Sequence, residues 1–292
     1  MTEDEPAFLR SVAAAPADDT PRLVYADWLD EHGQPVRAEF IRLQVEIAKL
    51  ETKSRAVVDR NSHLWRRQQE LLDEHTPELL GPLAGLSPHV EVEFHRGFVS
   101  EVTLDAGAFL EHAAELAAVL PRPAVSVERV ATRLADFLAS PHLDCVNRIG
   151  VYDHDVFTVY ESLPAVPDVP TLLDATGKLT RLELLDLEGC QIGDHGAVVL
   201  AMTDFPALTE VDLSSNQITD VGVTDLLAWP VLRRLRRLVL GGNPIGDQGA
   251  FELADRLGPH NRLDNLNLRF TNISPDGQRA LLSRFGGRVD IF

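Results

Sequence analysis

The feature that most constrains this chain is an internal repeat. The segment Leu182-Glu183-Leu184-Leu185-Asp186-Leu187-Glu188-Gly189-Cys190-Gln191-Ile192 returns at residues 208–218, 235–245 and 263–273. All four copies are read on one template, L-x-x-L-x-L-x-x-N/C-x-I. The Leu187 position recurs at Leu213, Leu240 and Leu268, spacings of 26, 27 and 28 residues. A unit this short cannot bury its apolar face alone, so copies in register imply a stack in which each unit covers the next. Leu185 and Leu187 alternate with Asp186 and Glu188, the period of a strand with one buried face. Asn216 and Asn243 stand where their strands end, and a buried amide there can bond the backbone of the turn; Asn or a small Cys suits that position.

After Ile192, Ile218 and Ile245 come Gly193-Asp194-His195-Gly196, Thr219-Asp220-Val221-Gly222 and Gly246-Asp247-Gln248-Gly249. Asp or Thr in these turns is expected to cap the helix that follows. Those helices carry Val198, Val199 and Leu200, then Val223, Leu226 and Leu227, then Phe251, Leu253 and Leu257. Each unit is therefore strand, turn, helix, and on these residues the array resembles leucine-rich repeats of the ribonuclease-inhibitor class. That resemblance implies a parallel sheet on a concave face and helices on a convex one. Degenerate copies are expected earlier: residues 102–104 before a helical run at 108–120, 125–127 before a run at 130–138, and 149–151 leading to His154 in the Asn slot. About seven strands result. The three prolines between residues 162 and 170 mark a loop. The expected solenoid spans residues 89–292, degenerate to about 170, regular over 179–275 and closed by a cap at 276–292. The fold class is α/β, a leucine-rich-repeat solenoid after an all-α N-terminal domain.

Residues 1–88 read differently. Thr20-Pro21 has the form of a helix start, with Thr as cap and Pro at the first position, and that helix stops at Gly33. Pro35 opens a second helix in which Val36, Phe40, Leu43, Ile47 and Leu50 form an apolar stripe. A third carries Val57, Leu64 and Leu71, and a short one lies near residues 8–14. The segment from Asp18 to Gly33, with Arg37-Ala38-Glu39-Phe40-Ile41-Arg42-Leu43-Gln44, resembles the bacterial repeat-companion domain, a short module often followed by leucine-rich repeats. The resemblance covers about residues 1–50 and implies no chemistry. Asp27, Glu39 and Arg42 stand where that family keeps polar residues, as an ion-pair network fixing the helices or as a docking surface that also takes in Tyr25.

Sites with chemistry are few. Thr176-Gly177-Lys178-Leu179 lacks the first glycine and the Ser or Thr of a phosphate loop. His142, Asp144 and Cys145 are close in sequence, but Cys145 reads as a small buried residue, and Cys190 fills the Asn slot. His89, Glu91, Glu93 and His95 alternate along one face of a possible strand, and Asp153-His154-Asp155 could hold a cation; the solvated reading is preferred for both. Arg233, Arg234, Arg236 and Arg237 read as a solvated turn that can pair with acids of neighbouring repeats. No enzyme, metal or cofactor is expected.

The formal charge of −18 disfavours nucleic acid and anionic membranes. Two cysteines, an acidic N-terminus and no apolar stretch of roughly 18 residues point to a cytoplasmic protein. Charge is uneven: residues 151–200 hold nine acids against two bases, whereas 251–292 hold five acids and six arginines. The outward strand positions Asp186, Glu188, Glu210, Asp212, Arg237, Asn267 and Arg269 are the candidate partner-binding residues. The expected function is a monomeric, non-catalytic adaptor that binds a protein with a basic patch. By analogy with similar repeats, the alternative is a regulator of a small GTPase or another enzyme; a purely structural adaptor is the third reading.

Overall fold

A computed structural model describes residues 4–51, 53–86, 90–151, 176–257 and 262–291. Two compact units emerge, one of Met1–Leu104 with Glu111–Val125, the other of Asp105–Leu110 with Ser126–Phe292. Helix α6 (Ala106–Ala118) and strand β3 (Ala124–Glu128) are divided between them.

The first unit holds α1 (Glu5–Ala14), α2 (Thr20–Glu31), α3 (Pro35–Leu50), α4 (Arg55–Arg60) and α5 (Ser62–Leu80), with β1 (Glu91–His95) and β2 (Phe98–Asp105). Thr20 is inside α2, Asp19 holds the N-cap position without a side-chain cap bond, and Asp18 Oδ1 accepts the Thr20 N–H at 2.9 Å. Gly33, at φ +77°, ends that segment in a conformation that suits glycine. The expected third helix is two, because Asn61 leaves helical geometry and turns its amide onto the Val57 carbonyl at 2.8 Å. Helix α3 is buried on two faces. Phe40, Leu43 and Ile47 of the expected stripe pack with Leu71 and Leu79, while Ala38, Ile41 and Val45 pack with Tyr25, Trp28 and Leu29. The boundary expected at residue 88 falls between α5 and β1, and the compact unit runs on through Leu104. β1 and β2 form an antiparallel hairpin whose Arg96-Gly97 turn, at φ 53° and 85°, sits on α3. A Cβ on Gly97 would stand 2.5 Å from the Ile41 Cα, and Gln44 Oε1 accepts the Gly97 N–H at 2.8 Å.

In the second unit β4 (Val146–Gly150), β5 (Leu184–Asp186), β6 (Glu210–Asp212), β7 (Arg237–Val239), β8 (Asn265–Asn267) and β9 (Val289–Asp290) lie in sequence order, each parallel to the next. Helix α7 (Leu134–Ala139) precedes β4, and α8 (Gly193–Ala201), α9 (Asp220–Leu226), α10 (Asp247–Arg256) and α11 (Pro275–Phe285) alternate with β5 to β9, α8 to α11 each packing on the next. The regular strands begin at Leu184, Glu210, Arg237 and Asn265 and are three residues long. Leu187, Leu213, Leu240 and Leu268 have left the ladder's geometry, although each N–H still reaches the next strand, as from Leu213 to the Val239 carbonyl at 2.9 Å. Leu185, Val211, Leu238 and Leu266 are in register and buried against the helix layer, as are Leu200, Leu226, Leu253 and Leu281. Phe251, one of the apolar residues that α10 carries, is 47% exposed. The expected cap is α11 followed by β9.

Two ladders tie neighbouring repeats together. In the first, Asn216 donates to the Leu187 carbonyl at 2.7 Å, and Asn243 donates to the Leu213 carbonyl at 2.8 Å while accepting from the N–H groups of Asn216 and Ile218. The fourth copy departs from the template, with Thr271 in this slot bonding the Leu268 carbonyl at 2.8 Å. In the second, the turn aspartates cap the next repeat's helix rather than their own. Asp194 Oδ1 accepts from Thr219 and Gly222, Asp220 Oδ1 from Gly246 and Gly249, and Asp247 from Ser274. Thr219 and Ser274 do cap their own helices. A Cβ on Gly222, Gly249 or Gly277 would stand 2.4–2.7 Å from the aspartate of the preceding repeat, so glycine belongs to this ladder. Pro275 fills the aspartate position in the last repeat, where no helix of the described residues follows.

Candidate functional site

On the sheet face turned away from the helices, register sorts the outward residues into rows. Leu184, Glu210, Arg237 and Asn265 form one, and Asp186, Asp212, Val239, Asn267 and Asp290 form the next. Neighbouring strands lie about 4.8 Å apart, so Asp186 and Asp212 are direct neighbours, while Asp186 and Asn267 are separated by roughly 14 Å. Glu188 and Arg269 share a third row at the strand ends but lie three repeats apart, with Ser214 and Gly241 between them. The structure therefore brings Asp186, Glu210, Asp212 and Arg237 together and leaves Asn267 and Arg269 at the other end of the face.

Asp186, Asp212 and Asn267 each have a local task. Asp186 Oδ1 accepts the Glu188 N–H at 2.9 Å, Asp212 Oδ1 the Ser214 N–H at 2.9 Å and its hydroxyl, and Asn267 Oδ1 the Arg269 N–H at 3.0 Å. These are side-chain turns that finish the strand. Burial raises the Asp212 pKa above the ordinary carboxylate range, the Ser214 bonds oppose this, and the Asp186 charge adds to it. Val239 is 5% exposed although it shares the row. Glu210 and Arg237 pair across strands at 3.9 Å, both substantially exposed, a contact of small energy. Arg269 pairs with Asp290 on β9 at 3.6 Å, and its guanidinium lies over the Phe270 ring at 5.8 Å. Sequence reading passed over Asp290; the alternation Val289-Asp290-Ile291 was its only signal.

The other candidates separate by location. Glu91, Glu93 and His95 do share one exposed face of β1, where His95 lies 3.8 Å from Glu51. His89, Asp153, His154 and Asp155, with the loop at 162–170, lie outside the described residues. Among the described residues no group of three or more His, Cys, Asp and Glu side chains is placed to hold a metal ion. Cys145 and Cys190 are buried and not joined in a disulfide; burial first, then the Asp186 and Glu188 charges, push the Cys190 thiol far above its ordinary pKa, which keeps it unreactive. In the first unit Arg42 bonds Asp27 at 2.6 Å and Asp30 at 2.7 Å, and Arg67 grips Glu39 with two bonds and Glu70 with a third. Tyr25 donates to Glu5 at 2.7 Å inside the core. These polar residues join helices to one another.

A family model for the Leucine Rich repeat matches residues 178–201, 206–227 and 232–254. The matched segments are the units built on β5, β6 and β7, and the unit of β8 and α11 repeats their order. Leucine-rich repeats thus occupy the C-terminal half, after a helical N-terminal region. No curated protein is similar enough to count as a match. Among the described residues no helix is long and apolar enough to cross a membrane.

Proposed function

We propose that this chain is a non-catalytic adaptor whose repeats hold a protein partner with a basic patch, bound on the sheet face bearing Asp186, Glu188, Glu210 and Asp212. Leucine-rich repeats support binding as the general role, since a solenoid offers an extended surface. One observation supports this particular face. Asn267 makes the same turn bond as Asp186 and Asp212 without a charge. Where folding uses an acceptor in this row, it does not need the anion. Adjacent like charges on paired strands are unfavourable, and the Asp212 pKa, raised first by burial, is raised further by the Asp186 charge. Charge that folding opposes is the charge a cationic partner would use. The helical region resembles the repeat-companion domain, and its ion-paired helices fit a scaffold beside the binding array.

The test follows from the geometry. Reversal to Lys would remove the turn acceptors, so the informative variant carries Asp186→Asn, Glu188→Gln, Glu210→Gln and Asp212→Asn together. A partner identified by crosslinking and copurification is titrated against wild type and this variant over a salt series. The expected result is a loss of at least about tenfold in affinity, with a flatter salt dependence. Equal affinity and equal salt response would remove this face from consideration.

A further inference from the structure

A second charged feature lies at the opposite ends of the same strands. Thr209, Arg236 and Asp264 immediately precede β6, β7 and β8. With Pro206, Ala207, Arg234 and Arg262 they line an open depression of about 440 Å³. Three guanidiniums meet there on a chain whose formal charge is −18.

The three are not equivalent. Arg234 is anchored, one terminal nitrogen bonding Asp204 at 2.7 Å and the Phe205 carbonyl, while its Nε is buried with no partner. Arg236 and Arg262 are exposed, and among the described residues neither is ion-paired. Arg236 is held at its backbone, its N–H bonded to Thr209 and its carbonyl to the N–H groups of Asp264 and Asn265. Asp264 is the one acid in the lining, so the depression carries an excess of positive charge but not a large one.

We infer that this depression binds a single oxyanion group carried by a peptide: a phosphate monoester or a side-chain carboxylate of an acidic segment. Guanidiniums bind such groups with charge-assisted, often bidentate hydrogen bonds. Asp264 and the acidic sheet face of the same unit oppose a long polyanion, which sets nucleic acid aside in favour of a short anion. Pro206 and Ala207 supply apolar contact for the peptide around it. The site is separate from the sheet face proposed above, and its variants leave the acids of that face untouched.

The experiment uses the full chain with three probes at physiological ionic strength: a phosphoserine peptide, a glutamate-rich peptide of the same length, and inorganic phosphate. Titrations compare wild type, the Arg236→Gln, Arg262→Gln double variant, and Asp264→Asn. At least one peptide should bind wild type, at least about tenfold more weakly to the double variant and more tightly to Asp264→Asn. Preference for the phosphoserine or the glutamate peptide identifies which oxyanion the site takes. Phosphate alone should bind weakly and respond to the variants in the same directions. Binding by neither peptide, peptide affinity indifferent to these substitutions, or tighter binding of a short oligonucleotide would each overturn the inference. Unchanged circular dichroism of the variants shows that the fold is not what moved.

Discussion

Removing the Asn243 carboxamide tests the ladder that joins the repeats. Asn243 is 1% exposed, and its Oδ1 accepts from the N–H groups of Asn216 and Ile218, both at 2.9 Å. Its Nδ2 donates to the carbonyls of Leu213 and Leu240 at 2.8 and 2.9 Å. Asn243→Ala therefore strands two buried donors of the preceding repeat. Each costs about 1–3 kcal/mol, so the substitution should destabilise by about 2–6 kcal/mol. The carbonyls add less, because under-satisfied acceptors are better tolerated. Asn216 Oδ1 accepts one N–H, that of Ile192 at 3.3 Å, so Asn216→Ala should cost about half as much. Cys190 makes only a 3.7 Å contact with the Glu188 carbonyl, and Cys190→Ala should cost least. Urea unfolding followed by circular dichroism, with amide exchange at Asn216 and Ile218, reads both the global and the local effect. A cost below about 1 kcal/mol for Asn243→Ala, or a larger one for Asn216→Ala, would refute the reasoning.

The remaining expectations concern single positions. Asp220→Ala should cost about 0.5–2 kcal/mol, since it uncaps α10 in the next repeat, and Gly249→Ala about 1–3 kcal/mol, since its Cβ meets Asp220 and Ile245; a thermal scan that finds either neutral removes the inter-repeat cap. Phe270 holds φ 58° at 86% exposure, where other repeats place Gly189, Ser215 and Gly242, so Phe270→Gly should stabilise by up to about 1 kcal/mol. A drop in Tm would show that the ring packs in a way its exposure conceals. Asp212→Asn keeps the acceptor and removes a charge whose folded pKa is raised. A carboxyl raised in this way contributes stability below its unfolded pKa and loses it as pH rises through the folded value. The variant should therefore be more stable than wild type at neutral pH, with the gap closing as pH falls through that value; a gap constant from pH 3 to 8 would count against it.

Periodicity carries information about what is buried, and so the repeats were legible: Leu185, Val211, Leu238 and Leu266 follow directly from alternation and share one register. Partnership between repeats was not. Asp220 looks like a cap for the helix that it begins, and nothing local says that its carboxylate turns to Gly246 and Gly249 instead. The clue lay in the recurrence of glycine after each aspartate, a residue retained where a Cβ would strike the neighbouring unit. Helix α3 misled for a related reason. One stripe at helical spacing was visible, but Ala38, Ile41 and Val45 form a second, and a helix buried on both faces has less contrast to display. For the candidate site, sequence located the outward acids, while their turn bonds and the pairing of Arg269 with Asp290 depend on distances that no pattern encodes.

The repeats also serve as comparisons with one another, because one backbone position is occupied four times. In the four template copies the Asp186 position holds Asp twice, Val once and Asn once, and Asp290 of the closing strand extends the row. Val239 shows that even the acceptor can be dispensed with, in a copy whose turn is Gly241-Gly242 and whose backbone bends without help. Asn267 shows that where an acceptor is used, it need not be charged. What Asp186 and Asp212 add to that acceptor is net charge. The adjoining row runs from Glu210 to Arg237 to Asn265, so polarity changes along the sheet from acid to base to amide. A uniform face would let a partner slide by one repeat at little cost, since the backbone beneath it is periodic. A graded face gives each such shift a different electrostatic energy, and so fixes both the position and the direction of whatever docks on it.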